Sequence, residues 1–165
     1  MQQKLRSGYT TGTHATACLQ ACVLEFFQSK KSKSVEVLLP QGECASIEVK
    51  REAFACYSSI KGENDDIDVT KGAKITIKLL KTKPIKIKKQ TPASIKINEF
   101  QLFLWAGEGV GVVTKKGLKI PPSYPAINPT PLSMMQKNIE LTVVNETKTL
   151  HAVVSVASGE EIAKE

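Results

Sequence analysis

Between residues 14 and 28 the chain runs through Ala, Cys, Leu, Val and Phe without a proline or glycine, and apolar positions fall on every face. This pattern predicts a helix packed closely against a sheet, with Ala15, Ala17 and Ala21 permitting close approach. A polar Lys/Ser run at 30–34 ends it, with cations suited to a helix C-terminus. Residues 35–39 and 45–49 alternate with period two around Pro40-Gln41-Gly42-Glu43, which predicts a β-hairpin. Residues 54–61 and 73–80 read as further strands, the second with Lys74, Thr76 and Lys78 on one face and Ile75, Ile77 and Leu79 on the other. From 81 to 98, lysine and isoleucine alternate around Pro84 and Pro92, as in a twisted edge strand or a crossing loop. Residues 100–106 and 111–114 are strand-like, and 117–130 is a proline-rich, rigid excursion. Thr130 and Pro131 offer an N-cap and a first-turn proline for a short helix to about Asn138. Residues 140–144 and 148–156 then predict a second hairpin across Asn145-Glu146-Thr147. Ser158 caps a final helix with Glu160 and Glu161 in its first turn. The predicted fold class is α+β: a mixed β-sheet domain with a packed amino-terminal helix and short later helices.

A length of 165 residues suits one domain able to bury its own core. The longest apolar stretches, 100–106 and 141–144, are strand-length and far short of the roughly 20 residues a membrane span requires. The opening Met1-Gln2-Gln3-Lys4 leads into a polar loop, so no signal peptide is read there and the cytoplasm is the expected compartment. Four cysteines do not make a disulfide framework in such a chain. His14, Cys18 and Cys22 share one helix face, but His14 and Cys22 would lie about 12 Å apart along the axis. No second pair completes a tetrahedral set, so the reading is structural core and no metal site.

The net charge of +7, with lysines concentrated between 71 and 89, changes the picture of partners. A basic chain favours polyanions, either nucleic acid or a small polycarboxylate. Aromatic content is only 5%, with Trp105 the single tryptophan, so a platform for stacking bases is not evident. A basic, non-catalytic nucleic-acid-binding module stands as the alternative, and homodimerisation is left open.

Four segments carry candidate chemistry. Thr10, Thr11, Gly12 and Thr13 stand directly ahead of the helical pattern, where a threonine caps the first turn and free amides meet an anion. Asp65, Asp66 and Asp68 crowd three carboxylates into one loop between strands. Such a loop can hold a hard cation, raise the pKa of one carboxylate so that it acts as a base, or bond its own backbone. Gly107, Gly109 and Gly111 are spaced GxGxG, but extended residues follow where a dinucleotide loop needs a helix. A bend presenting bare backbone to a flat ligand fits better, with Glu108 as the charge at its tip. Pro125, Pro129 and Pro131 stiffen a loop that presents Asn128 as a neutral donor and acceptor.

Taken in order, GYTTGT from Gly8, DDxDVT from Asp65, GEGVGxVTxxGL from Gly107 and PAINPxP from Pro125 resemble the cobalt-precorrin-5B (C1)-methyltransferase family of anaerobic cobalamin biosynthesis. The resemblance runs from Leu5 to about Lys164, and its tail resembles the lead into a further region. It implies the amino-terminal part of a longer enzyme: a substrate-facing domain at 1–157, with 158–165 starting a linker or helix towards a carboxy-terminal domain. The implied reaction methylates C1 of cobalt-precorrin-5B from S-adenosylmethionine and yields cobalt-precorrin-6A. It further implies an anionic cobalt-corrinoid partner whose cobalt belongs to the substrate, and a chain inactive by itself. Thr10, Thr11, Gly12, Thr13, Glu108, Gly109, Gly111 and Asn128 would bind substrate, and Asp65, Asp66 and Asp68 would be catalytic. The family commonly has cysteine at position 14, glycine at 64 and arginine at 112, where this chain has His14, Asn64 and Val112.

Overall fold

The computed structural model describes residues 9–62, 72–117 and 119–157. Helix α1 (Thr11–Gln28) begins three residues ahead of the apolar run, because Thr10 is extended and its hydroxyl accepts the Thr13 amide at 3.1 Å. It ends where Ser29 turns left-handed at φ 55° and returns its amide to the Glu25 carbonyl. The predicted hairpin forms as β1 (Ser34–Leu38) and β2 (Cys44–Glu48), with Val35 against Ile47 and Val37 against Ala45. The remaining strands are β3 (Lys50–Ala53), β4 (Cys56–Ile60), β5 (Lys74–Leu80), β6 (Ala93–Ile97), β7 (Phe100–Ala106) and β8 (Thr149–Ala157). They form one mixed sheet in the order β3-β4-β5-β8-β7-β6, in which β7 and β8 run parallel and every other neighbouring pair is antiparallel. β3 is exposed along its length and has no apolar alternation, so the sequence pattern gave no sign of it.

Three expectations are corrected. The predicted second hairpin does not form: residues 140–143 complete helix α2 (Pro129–Val143), and only 149–157 become a strand. Local β-branching at Thr142, Val143 and Val144 loses to burial, because Met135, Ile139 and Val143 recur every fourth residue and are all fully buried while Leu141 points outward. The N-cap of α2 is Asn128 with Pro129 as first helical residue, two positions before the predicted Thr130 and Pro131. Finally, 111–114 form no strand, only a single bridge between Val112 and Pro125. The ambiguous 81–98 stretch divides into an irregular segment and the edge strand β6. The expected helix from Ser158 lies outside the described residues.

α1 packs on β4 and β5 and is covered from its other side by β1 and α2, which explains its all-round apolar character. The thiols of Cys18 and Cys22 donate to the carbonyls of Ile75 and Ile77, and burial pushes both thiols far above their ordinary range. The β1–β2 hairpin is pinned by Asn138 of α2, whose amide group accepts from the Leu38 amide at 2.8 Å and donates to its carbonyl at 3.0 Å.

One buried charge joins α1 to the sheet. Glu25, 3% exposed, accepts the Arg51 Nε at 2.8 Å and the Ala55 amide at 2.9 Å, where Ala55 is held at φ 52°. Burial alone would raise its carboxyl pKa, but the Ala55 amide and Arg51 together hold it below the ordinary range. Since the folded value is depressed, the stabilisation is fully present above the unfolded value of about 4.3 and is lost as pH falls through the folded one. Glu25→Ala is expected to lower unfolding free energy by about 3 kcal/mol at pH 7, because it strands a buried amide and a guanidinium. Urea unfolding at pH 7 and pH 3.5, roughly either side of the free carboxyl value, should show the wild-type advantage shrinking at the lower pH.

Candidate functional site

At one end of the sheet, where β7 leaves its pairing with β8, three of the sequence motifs meet around a cavity of about 980 Å³. Thr10, Thr11, Gly12 and Thr13 line it from the start of α1. Gly109 and Gly111 line it from the loop after β7, and Asn128 lines it from the start of α2. Two helix N-termini therefore point at one space. In α1 the Thr13 amide is taken by the Thr10 hydroxyl, and the amides of Thr11 and Gly12 occupy first-turn positions with no intrahelical partner. In α2 the prolines at 129 and 131 carry no N–H, so Thr130 is the only donor of the first three residues. Asn128 caps α2 by backbone conformation without a side-chain cap hydrogen bond. Its amide group therefore stays available at the cavity rim.

Among the described residues that line the cavity the charge is one-sided. Lys61 and Lys119 line it, and no carboxylate does so among the described residues. Lys61 is 4% exposed. Ile127, Met134, Met135, Val154 and Val156 supply an apolar wall. Polar amides, the exposed Lys119 and an apolar wall together suit a largely apolar body with anionic arms.

The glycines divide into two kinds. Gly109 has φ +78°, and a Cβ there would collide with the Val156 carbonyl; a Cβ on Gly107 would crowd the side chains of Val153 and Ser155. Both glycines are required by packing on β8, which also accounts for the bonds from Gly107 N to Val154 O and from Val156 N to Glu108 O. Gly111 faces open space and is the position where a ligand can approach bare backbone. Glu108 is exposed and is not among the residues that line the cavity. Asp65, Asp66 and Asp68 lie outside the described residues; Lys61 is the lining residue nearest to them in sequence. Sequence reasoning missed Lys61, Lys119, the methionines and the hairpin turn at 39–41, which also lines the cavity. Only Lys61, just ahead of the acidic loop, carried a signal that could have been read.

The family model for CbiD matches residues 1–165. Cobalt-precorrin-5B C(1)-methyltransferase from Geobacter metallireducens is 33% identical over 97% of this chain and 42% of its own length. The proteins of that name from Clostridium perfringens and Picrophilus torridus are 35% and 34% identical, over 41% and 43% of their lengths. The chain thus spans about two fifths of the length of the curated relatives it matches. A crystal structure of the cobalamin biosynthesis protein cbiD from Archaeoglobus fulgidus superposes with a TM-score of 0.60 at 23% identity, covering 96% of this chain and 46% of that one.

The two kinds of glycine predict opposite outcomes. Gly109→Ala should cost about 3 kcal/mol, combining a left-handed backbone with overpacking against β8. Gly111→Ala should stay within about 0.5 kcal/mol of wild type, since its Cβ enters open space. Thermal unfolding of both variants checks this.

Proposed function

Because the chain belongs to the CbiD family, we propose that it forms the substrate-facing part of an enzyme that methylates C1 of cobalt-precorrin-5B to give cobalt-precorrin-6A in anaerobic cobalamin biosynthesis. The observation that carries this reading is the convergence of three family motifs on a cavity with two helix N-termini, two lysines and no carboxylate among the described lining residues. A corrinoid is a flat, largely apolar macrocycle edged with acetate and propionate arms, and each part has a counterpart here. The Thr11 and Gly12 amides with Lys119 hold carboxylates, the apolar wall takes the ring face, and Gly111 admits the ring edge.

When bound, S-adenosylmethionine supplies a methyl group on a sulfonium, which leaves without acid assistance. Transfer to an electron-rich ring carbon then depends on alignment more than on a protein nucleophile. In this reading the chain orients the macrocycle against a rigid frame of α1, the glycine loop and the proline-stiffened start of α2. One of Asp65, Asp66 and Asp68 accepts a proton. The domain spans 1–157, and donor binding is completed by the region that the longer relatives carry. The nucleic-acid alternative draws no stacking contact from Trp105, which is 5% exposed.

Equilibrium titration of the chain with cobyrinic acid, a cobalt corrinoid polycarboxylate, and separately with S-adenosylmethionine and a DNA duplex tests the reading. Corrinoid binding should weaken about tenfold in Lys119→Met and fall with salt. Binding of the duplex alone would replace this function with the basic-module alternative. In a complete enzyme, Asp66→Asn with Asp68→Asn should lower turnover by about a hundredfold or more; unchanged turnover removes the base role. The isolated 165-residue chain should not turn over.

A further inference from the structure

The irregular segment between β5 and β6 lies on the far side of the sheet from the helices, yet its side chains fasten the backbone that walls the cavity. Gln90 grips Ala106, the last residue of β7, from both sides: its Oε1 accepts the Ala106 amide at 2.7 Å and its Nε2 donates to the Ala106 carbonyl at 3.1 Å. This side chain takes the place of a neighbouring strand, because β6 pairs with β7 only as far as Leu104. Lys88 Nζ donates to the Val110 carbonyl at 2.9 Å, in the middle of the glycine loop. The Thr91 amide donates to the Ser123 carbonyl at 2.7 Å, and their hydroxyls lie 3.1 Å apart. Ser123 in turn donates its amide to the Val113 carbonyl, and the Ala126 amide donates to the Gly111 carbonyl.

From these contacts we infer that Lys88, Gln90 and Thr91 form a strap of positioning residues that sets the relative placement of two cavity walls, the glycine loop and the proline-rich excursion. The strap reaches neither substrate nor cavity. It acts through Val110, Gly111, Ala126 and Ile127, all of which line the cavity. The glycine loop needs such support: Gly111 has no side chain to pack, and Gly109 lies directly against the Val156 backbone of β8. An unbraced loop of this composition would sample many backbone states, and a ligand would have to order it on binding. The inference rests on the proposed corrinoid site, and its test separates the two.

The double variant Lys88→Met, Gln90→Ala and the single variant Lys88→Arg are compared with wild type by amide hydrogen exchange, thermal unfolding and titration with cobyrinic acid. The expected result is exchange at least about tenfold faster at Val113 and Ala126, whose amides bond to Tyr124 and Gly111 and not to a substituted side chain, with the amides of β5 unchanged. Affinity for cobyrinic acid should fall about tenfold in the double variant and stay within about twofold in Lys88→Arg, which keeps a donor for Val110. Unchanged exchange at Val113 and Ala126 overturns the inference. So does faster exchange that extends through β5, which would make the strap a general stabiliser. If wild type does not bind cobyrinic acid, the proposed function fails while the exchange result still decides the strap.

Discussion

Two strands that run the same way cannot be joined by a tight turn, so the parallel register of β7 and β8, from Gln101↔Thr149 to Ala106↔Val154, forces the chain back along the sheet before β8 begins. The return is made by α2, and its direction follows from that requirement. Its N-terminus must lie near the carboxyl end of β7 and its C-terminus near the amino end of β8. The positive end of the α2 dipole, the loop leaving β7 and the carboxyl end of β8 are thereby brought to one edge of the domain, the place where ligands bind in sheets with parallel pairs. With β8 antiparallel to β5 on its other side, the same strand serves as the centre of the sheet and as the floor under the glycine loop.

How closely these parts approach is fixed by the absence of side chains at two points. A Cβ on Gly12 would stand 2.9 Å from Pro131 Cγ, so the starts of α1 and α2 touch through a position where only hydrogen fits. Gly109 does the same between its loop and β8. These contacts turn two separate helix starts and a loop into one rigid rim. Rigidity is the property a site needs when it works by alignment, since energy then need not be diverted into ordering the protein.

Much of this was legible in the chain. α1, the first hairpin, β5, β7 and β8 follow from uninterrupted or alternating apolar runs, because in each the local pattern and the tertiary environment demand the same thing. β3 was invisible because all of its residues are exposed, so it exists through pairing with β4 rather than through burial. The end of α2 was misread because Thr142, Val143 and Val144 favour strand locally, whereas the four-residue spacing from Met135 through Val143 decides the outcome only when α1 is present to receive it. At the site, the threonines, Gly111 and Asn128 could be named from sequence, since capping and backbone freedom are local properties. Lys119 and the hairpin turn reach the cavity through long-range packing that no spacing announces, whereas Lys61 stands just ahead of the acidic loop. Glu108 was named because it is charged at the tip of a glycine bend, but the bond from the Val156 amide to its backbone carbonyl aligns the loop with β8, and the cavity is lined without it.

The two faces of the sheet meet different demands. On the helix face the pairs Leu102↔Leu150 and Leu104↔Ala152 are fully buried. On the other face Phe103 stacks on His151, and Trp105 Nε1 donates to His151 Nδ1 at 3.1 Å with Lys83 Nζ above the indole ring. Burial, with Lys83 nearby, lowers the His151 pKa, which keeps the ring neutral and able to accept at Nδ1 near neutral pH. No helix covers this face among the described residues; irregular chain does, and irregular chain brings backbone groups that require partners. Gln90 meets part of that requirement, its Nε2 donating to the Lys88 carbonyl at 3.0 Å, and Gln90 and Lys88 also bond the backbone at the end of β7 and beyond it. A segment that only shielded aromatic side chains could end at Lys83, over Trp105. This one runs on to the point where β7 gives way to the glycine loop, and so it links the covering of one face to the shape of the cavity at the sheet's end.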